Sequence, residues 1–206
     1  MDSTLELRGL QLDALREVVN IASGHAATAL GQLTDRRIMI TVPEFAVTTL
    51  HEVPEILGYG TTPVVVVAMQ ILGDASGALV FMLPEEQARQ LSALLLGVPK
   101  AQAGGLNPMG RSSLTETANI LGGAYTSALA ALTGRLVMLS VPVFGIEPPD
   151  SVLAGQWVDG RGDQLALCVE TKLSFDEGNS ACGGHMLLLP SGSTLTGMLE
   201  SLRVNH

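Results

Sequence analysis

Apolar residues recur at intervals of three or four along two long stretches of the chain. In the first stretch they are Leu15, Val19, Ala22, Ala26, Ala29 and Leu33. In the second they are Leu114, Ala118, Leu121, Tyr125, Ala128 and Leu132. This spacing matches the 3.6-residue period of an α-helix, so the pattern predicts two amphipathic helices that each bury one face.

Runs rich in β-branched residues follow each of these helices and predict strands. Residues 37–45 and 135–144 form the first run in each half of the chain. A pair of runs then follows, residues 63–72 with 76–84 in the first half and 163–175 with 183–190 in the second. Each pair predicts a β-hairpin, and the first hairpin is expected to turn at Gly73-Asp74.

A further helix is expected after each hairpin. Pro84 and Pro190 stand where a helix can begin, because proline is tolerated in a first turn. The segments that follow, residues 85–96 and 193–202, are the expected helices, and the Gly, Ser and Thr content of the second lowers its propensity.

The two halves of the chain form an internal sequence repeat. Residues Glu17, Asn20 and Pro43 recur as Glu116, Asn119 and Pro142, each at an offset of 116 − 17 = 99. By Pro84 and Pro190 the offset has grown to 190 − 84 = 106, which predicts an insertion within residues 145–165.

This repetition predicts a single domain over residues 1–206, of the α/β class and α+β type. Two pseudo-symmetric repeats, about 8–97 and about 110–204, are expected to join through a linker at 98–109 that is rich in Gly and Pro. Since neither repeat can bury its apolar face alone, we expect them to share one mostly antiparallel sheet, with the two long helices side by side on an outer face.

A short polar row lies opposite the apolar stripe of each long helix. At about 100° per residue, Asp13, Glu17 and Asn20 fall at roughly 160°, 200° and 140° from Leu15. Ser112, Glu116 and Asn119 take the same places on the second helix. Both rows are therefore expected to face solvent. Any amphipathic helix has such a face, and Asp13 and Ser112 could equally be helix caps.

Two features favour a functional interpretation of these rows. Asparagine is a poor helix former, yet it stands in mid-helix at the same position twice. The outward surface beyond each asparagine is expected to carry only small residues: Gly24, Ala27, Gly31, Gly123, Thr126 and Ala130. Small residues allow the backbone of a partner to approach closely. The alternative is that they pack against the protein's own second helix.

Charge and composition narrow the function classes. The 206-residue chain has 20 acidic and 11 basic residues, a formal net charge of −9, which argues against nucleic acid and against anionic membranes as partners. The longest apolar run, residues 63–72, is too short to span a bilayer, and the N-terminus has no signal-peptide pattern. With only two cysteines as well, the sequence predicts a cytoplasmic protein without membrane insertion.

Other chemistry finds little support in the sequence. Cys182 and His185 have the spacing of half a metal site, but a second such pair is missing, so no metal and no bound cofactor are expected. Neither a phosphate-binding P-loop nor a nucleophile elbow is present. Trp157, the only tryptophan, falls in a predicted loop and has no assigned role.

The spacing Asp/Ser-x3-Glu-x2-Asn-x22-Pro resembles the signature of the CheC, CheX and FliY family of CheY-phosphate phosphatases. It occurs here in full twice, and the duplication covers nearly the whole chain. The resemblance implies hydrolysis of the aspartyl phosphate on a CheY-type response regulator. Catalysis would fall to Glu17, Asn20, Glu116 and Asn119, with Asp13, Ser112, Pro43 and Pro142 in supporting roles.

Within that resemblance, asparagine would orient the attacking water and glutamate would anchor the receiver domain. Mg²⁺ is expected on the receiver partner rather than on this chain. The family also implies a possible second partner, the CheD deamidase. The alternative is a protein without catalysis: an adaptor that binds a response regulator or CheD, or a structural component of the flagellar switch.

Overall fold

The computed structural model describes residues 9–99, 106–154, 164–175 and 180–204. The helices are α1 (Gly9–Thr34), α2 (Val53–Leu57), α3 (Glu85–Leu96), α4 (Pro108–Thr133), α5 (Pro149–Ala154) and α6 (Gly192–Val204). The strands are β1 (Ile38–Thr41), β2 (Phe45–Thr49), β3 (Val64–Gly73), β4 (Gly77–Pro84), β5 (Val137–Leu139), β6 (Val143–Glu147), β7 (Leu165–Phe175) and β8 (Ser180–Pro190).

The eight strands of the described residues belong to one antiparallel sheet, in agreement with the predicted, mostly antiparallel sheet. Its order is β1-β7-β8-β4-β3-β5, with β2 also paired to β7 and β6 also paired to β3. The hairpins β3–β4 and β7–β8 meet at the centre through the β4–β8 pair. The first strands of each half cross to the hairpin of the other half. Each half therefore depends on the other for its outer strands.

The central strands of the sheet are buried on both faces. Alternate residues of β3 point in opposite directions, so Val65 and Val67 join the core beneath α1 and α4. Their neighbours Val64 and Val66 pack on the other side, in a core that includes residues of α2 and α5. Double burial explains why β3 begins with six consecutive buried apolar residues, Val64 to Met69, before the exposed Gln70. The sequence analysis assigns no helix or strand to the segments where α2 and α5 form.

Helices α1 and α4 pack side by side on one face of the sheet, as expected. Most of the predicted stripe of α1 is buried, but Leu33 is 59% exposed, and the buried residue near that end is Leu30. The prediction for Leu33 is wrong. Because α1 contacts α4 as well as the sheet, its buried face is rotated toward α4 and away from the direction that the stripe alone defines.

Proline divides the first predicted run of each half into two strands. Pro43 lies between β1 and β2, and Pro142 lies between β5 and β6. Proline has no backbone N–H for the strand ladder, so pairing stops at it and resumes beyond it.

Strand register locates the added residues of the second half. Phe45 pairs with Val169 and its counterpart Phe144 pairs with Val67, so the offset at this strand is 169 − 67 = 102. Three residues are therefore added before β7, and the remaining 106 − 102 = 4 are added between β7 and Pro190. The expectation of a single insertion within residues 145–165 is wrong for those four.

The second long helix begins at Pro108, inside the predicted linker. The side chain of Asn107 caps it, because its Oδ1 accepts a 2.8 Å hydrogen bond from the backbone N–H of Gly110. The remaining bounds proposed for the repeats stay a prediction. Within the described ranges, no helix is long and apolar enough to cross a membrane.

Candidate active site

The two polar rows lie on the outer surface of the paired helices. On α1 the side chains of Asp13, Glu17 and Asn20 are exposed. On α4 the equivalent side chains of Ser112, Glu116 and Asn119 are exposed. Glutamate and asparagine are three residues apart in each row, so they are neighbours on one helical face. The structure thus places two Glu–Asn pairs on two helices that contact each other.

Asp13 and Ser112 are not helix caps. Helix α1 begins at Gly9 and α4 at Pro108, which puts each of these residues in the second turn of its helix. The cap of α4 is Asn107. Asp13 and Ser112 therefore extend the polar rows, one turn before the glutamates.

Among the described residues, the Glu–Asn side chains have no internal partner. Within the described part of the chain, Glu17, Asn20, Glu116 and Asn119 make no hydrogen bond or ion pair. Free carboxylate and carboxamide groups on a helix surface remain available to a partner molecule, because no internal contact has to break first.

Two of the six small residues leave open space on this surface. A Cβ atom at Gly24 or at Gly123 would meet no heavy atom within 4 Å. Ala27 and Ala130 are half-buried. At Gly31, a Cβ atom would lie 3.1 Å from the carbonyl oxygen of Arg36, so this glycine accommodates the protein's own chain.

The prediction that Thr126 faces a partner is wrong. Thr126 is 5% exposed, and its hydroxyl donates a 2.9 Å hydrogen bond to the carbonyl oxygen of Gly122 within the same helix. The residue lines an apolar cleft together with Met198 of α6. Because α4 contacts α1, α3 and α6, it is buried over a wider arc than a helix that only lies on a sheet.

The surroundings of the two pairs differ in ways that the sequence analysis missed. Ile21 follows Asn20 and is 46% exposed, whereas its counterpart Ile120 is half-buried against the core. The equivalent residues could have been compared from the alignment of the two copies alone. Only the structure shows which of them are exposed.

Charge also differs between the two surroundings. Arg16 and His25 are exposed beside the first pair. At the same positions beside the second pair stand Thr115 and Ala124, both half-buried. At these two positions the first pair is therefore flanked by an arginine and an imidazole, and the second by side chains without charge.

Pro43 and Pro142 lie between short strands, the first exposed and the second half-buried. Trp157 lies outside the described residues.

Other titratable groups lie away from the rows. Burial raises the pKa of Cys168 to about 11 and that of Cys182 to about 12, and the two thiols belong to cores on opposite faces of the sheet. His185 Nδ1 lies 2.5 Å from the hydroxyl oxygen of Tyr59. Among the described residues, no three His, Cys, Asp or Glu side chains form a group that could hold a metal ion.

Comparison with known proteins identifies the family. The model of the CheC-like family matches residues 10–52, which include the first Glu–Asn pair and Pro43. The chain is also 32% identical over 183 residues to the CheY-P phosphatase CheC of Bacillus subtilis, and the match covers 87% of this chain and 88% of that protein. The chain belongs to the CheC-like family.

Solved structures share the fold. FliY of Thermotoga maritima superimposes with a TM-score of 0.79 at 23% identity, over 98% of this chain and all of that one. The complex of CheX and CheY with BeF3 and Mg from Borrelia burgdorferi gives a TM-score of 0.51 at 16% identity, covering 85% of this chain and 97% of the matched chain. At these identities the likeness concerns the fold.

Proposed function

We propose that this protein hydrolyses the aspartyl phosphate of a CheY-type response regulator at two centres, Glu17/Asn20 and Glu116/Asn119. One observation carries the proposal: the same free, exposed Glu–Asn pair stands on two helices that contact each other. The relative in Bacillus subtilis is named a CheY-P phosphatase, which supports the same reaction here.

The chemistry of asparagine suits the hydrolytic step. Phosphoryl transfer to water depends on in-line geometry and on neutralisation of charge more than on covalent help. A carboxamide donates and accepts hydrogen bonds and does not titrate. Asn20 and Asn119 each orient a water molecule in line with phosphorus, on the side opposite the aspartyl oxygen that leaves.

The glutamates hold the receiver in register. Each carboxylate lies one helical turn before its asparagine, about 5–6 Å away between Cβ atoms. A carboxylate accepts strong, charge-assisted hydrogen bonds from an ammonium group, so Glu17 and Glu116 pair with a lysine of the receiver. Mg²⁺ enters with the receiver and neutralises the phosphoryl oxygens, while this chain contributes the water-orienting and anchoring groups.

The competing function is that of an adaptor or a structural component of the flagellar switch. The fold that the chain shares with FliY is compatible with it. A free asparagine beside each glutamate favours the enzyme, since recognition alone does not require a group that holds water.

Two further parts of the proposal follow from the family. CheD is a second partner, to be tested by co-purification of the two proteins at defined concentrations. The protein works in the cytoplasm, where its phosphorylated substrate would be formed, and fractionation of cells tests this placement.

The proposed function is tested by measuring how fast the receiver loses its phosphoryl group. A CheY-type receiver is phosphorylated in Mg²⁺, and its decay is measured with and without catalytic amounts of this protein. Multiple turnovers per protein molecule support a phosphatase. Tight binding to the phosphorylated receiver with an unchanged decay rate would assign the protein to the adaptor class.

A further inference from the structure

A buried hydroxyl pair joins the two motif helices. The hydroxyl oxygens of Ser23 on α1 and Tyr125 on α4 are 3.2 Å apart, and the residues are 2% and 8% exposed. The core around them is mainly aliphatic. Buried hydroxyls cost free energy unless they are hydrogen-bonded, so this contact ties the two helices together, while Thr171 on β7 is a second partner of the tyrosine hydroxyl.

The contact has no counterpart in the pseudo-symmetric position. Gly122 stands where Ser23 would recur (23 + 99 = 122), and Ala26 stands where Tyr125 would recur (125 − 99 = 26). A Cβ atom at Gly122 would lie 2.8 Å from Leu139 Cδ1, so no hydroxyl could be added there without a shift. A single contact therefore serves both copies of the motif.

The tyrosine ring borders an apolar cleft. Its lining includes Val18 and Val19 of α1, Leu129 of α4 and Met198 of α6. The ring of Tyr125 therefore borders unfilled space rather than a closely packed core. Burial raises the pKa of Tyr125, and hydrogen bonds with Ser23 and Thr171 act in the opposite direction without cancelling this effect, so the phenol stays protonated.

The contact lies close to both centres along the helices. Ser23 is three residues after Asn20, one turn along α1. Tyr125 is six residues after Asn119 on α4. Rotation of either helix about its axis moves its asparagine, and in-line attack is sensitive to shifts of about 1 Å.

We infer that Tyr125 is a positioning residue whose bond to Ser23 locks α1 against α4 and so holds both Glu–Asn centres in orientation. This inference rests on the proposed phosphatase function. It assigns to one buried tyrosine an effect on two separate sites.

The test removes the hydroxyl and keeps the ring. Tyr125→Phe is introduced into Asn119→Ala, which isolates the first centre, and into Asn20→Ala, which isolates the second. We expect the rate at saturating receiver to fall about fivefold at each centre, with KM within about twofold, because orientation of the water is lost while the docking surface is kept. Ser23→Ala should give the same fall, and the two substitutions together should add nothing further.

Thr126→Val supplies the matched control, because it removes a buried hydroxyl that bonds only within its own helix. It should leave both rates unchanged. An unchanged rate in folded Tyr125→Phe, or a fall at one centre only, would overturn the inference. If Tyr125→Phe does not fold, Ser23→Ala decides the question by the same criteria. Failure of the Asn→Ala variants to slow decay would instead reject the proposed function.

Discussion

Gly24 lies one helical turn beyond Asn20, and the space in front of it is open to solvent. Gly123 stands in the same relation to Asn119. In mid-helix a glycine is costly, by roughly 0.5–1 kcal/mol relative to alanine. Its occurrence at both positions is explained if a partner must approach the helix surface closely beside the asparagine.

Gly24→Leu should therefore stabilise the protein and impair the first centre. The free energy of unfolding should rise by roughly 0.5–1 kcal/mol, because leucine is a good helix former. The phosphatase rate in the Asn119→Ala background should fall on the order of tenfold or more, because the new side chain holds the receiver away from Asn20.

Urea unfolding and receiver dephosphorylation measure these two effects. Gly123→Leu in the Asn20→Ala background repeats the test at the second centre. Gly192→Ala on α6, where a Cβ atom also meets no heavy atom within 4 Å, is the control outside the motif helices. Full activity in Gly24→Leu would show that the receiver does not dock on this surface.

Periodicity predicts the helices and the polar rows well, because a row opposite an apolar stripe must face solvent whatever covers the stripe. Glu17 and Asn20 are exposed for this reason. The exact buried arc depends on neighbours that the sequence does not reveal. Leu33 is exposed because the contact with α4 rotates the buried face of α1 toward α4. Thr126 is buried because α6 packs against one side of α4.

The two centres should differ in their response to salt. Arg16 and His25 flank the first centre, whereas the second has Thr115 and Ala124 in the same places. Exposed charges are screened over about 8–10 Å at ordinary ionic strength. The apparent affinity for the receiver should change more steeply with salt at the first centre than at the second.

Receiver titrations at several salt concentrations, in Asn119→Ala and Asn20→Ala, test this difference. Arg16→Thr should reduce the slope at the first centre toward that of the second, and Thr115→Arg should increase the slope at the second. Equal slopes in the two parent variants would mean that the flanking charges do not contact the receiver.

His185 should make the fold sensitive to mild acid. Burial lowers its pKa below the ordinary 6.5, and Glu44 opposes this effect to a smaller extent. Tyr59 and Glu170 also lie beside it. Since the unfolded chain binds this proton more readily, the contribution to stability is full above about pH 6.5 and is lost as the pH falls through 6.5 toward the folded pKa.

Thermal unfolding across this pH range measures the effect. His185→Gln should fall less in stability than the parent protein between about pH 7 and pH 5, because its side chain does not titrate. His51→Gln, at an exposed histidine, is the control. The same pH dependence in His185→Gln and in the parent would contradict the assignment.

The β4–β8 pair at the centre of the sheet should tolerate no added side-chain atom at Gly184. A Cβ atom there would overlap the carbonyl oxygen of Met82 and lie 2.8 Å from Leu83 Cγ. Gly184→Ala should lower the free energy of unfolding by about 1–3 kcal/mol through overpacking. Urea unfolding measures it.

Gly183→Ala provides the neighbouring control, since a Cβ atom at that position makes an ordinary 3.4 Å contact with the Thr171 carbonyl oxygen. Its stability should change much less. Equal losses in the two variants would mean that glycine is needed in this strand for a reason other than close approach.

The sheet illustrates a second limit of sequence reasoning. The hairpins were predictable because their strands are adjacent in the chain and because the β-branched runs that predict the strands are local. The crossing of β1 and β2 to β7, and of β5 and β6 to β3, joins residues more than 60 positions apart and leaves no local pattern. Burial of the second face of the sheet by α2 and α5 likewise depends on tertiary contacts, which no local sequence pattern predicts.

The central claim is that Asn20 and Asn119 orient the attacking water. Its most direct test is the decay of a phosphorylated CheY-type receiver in Mg²⁺ with the parent protein, with Asn20→Ala, with Asn119→Ala and with the double variant. We expect each single variant to retain part of the activity and the double variant to lose it by roughly a hundredfold, since a mispositioned water costs about that much. A folded double variant that still accelerates decay like the parent would contradict the claim.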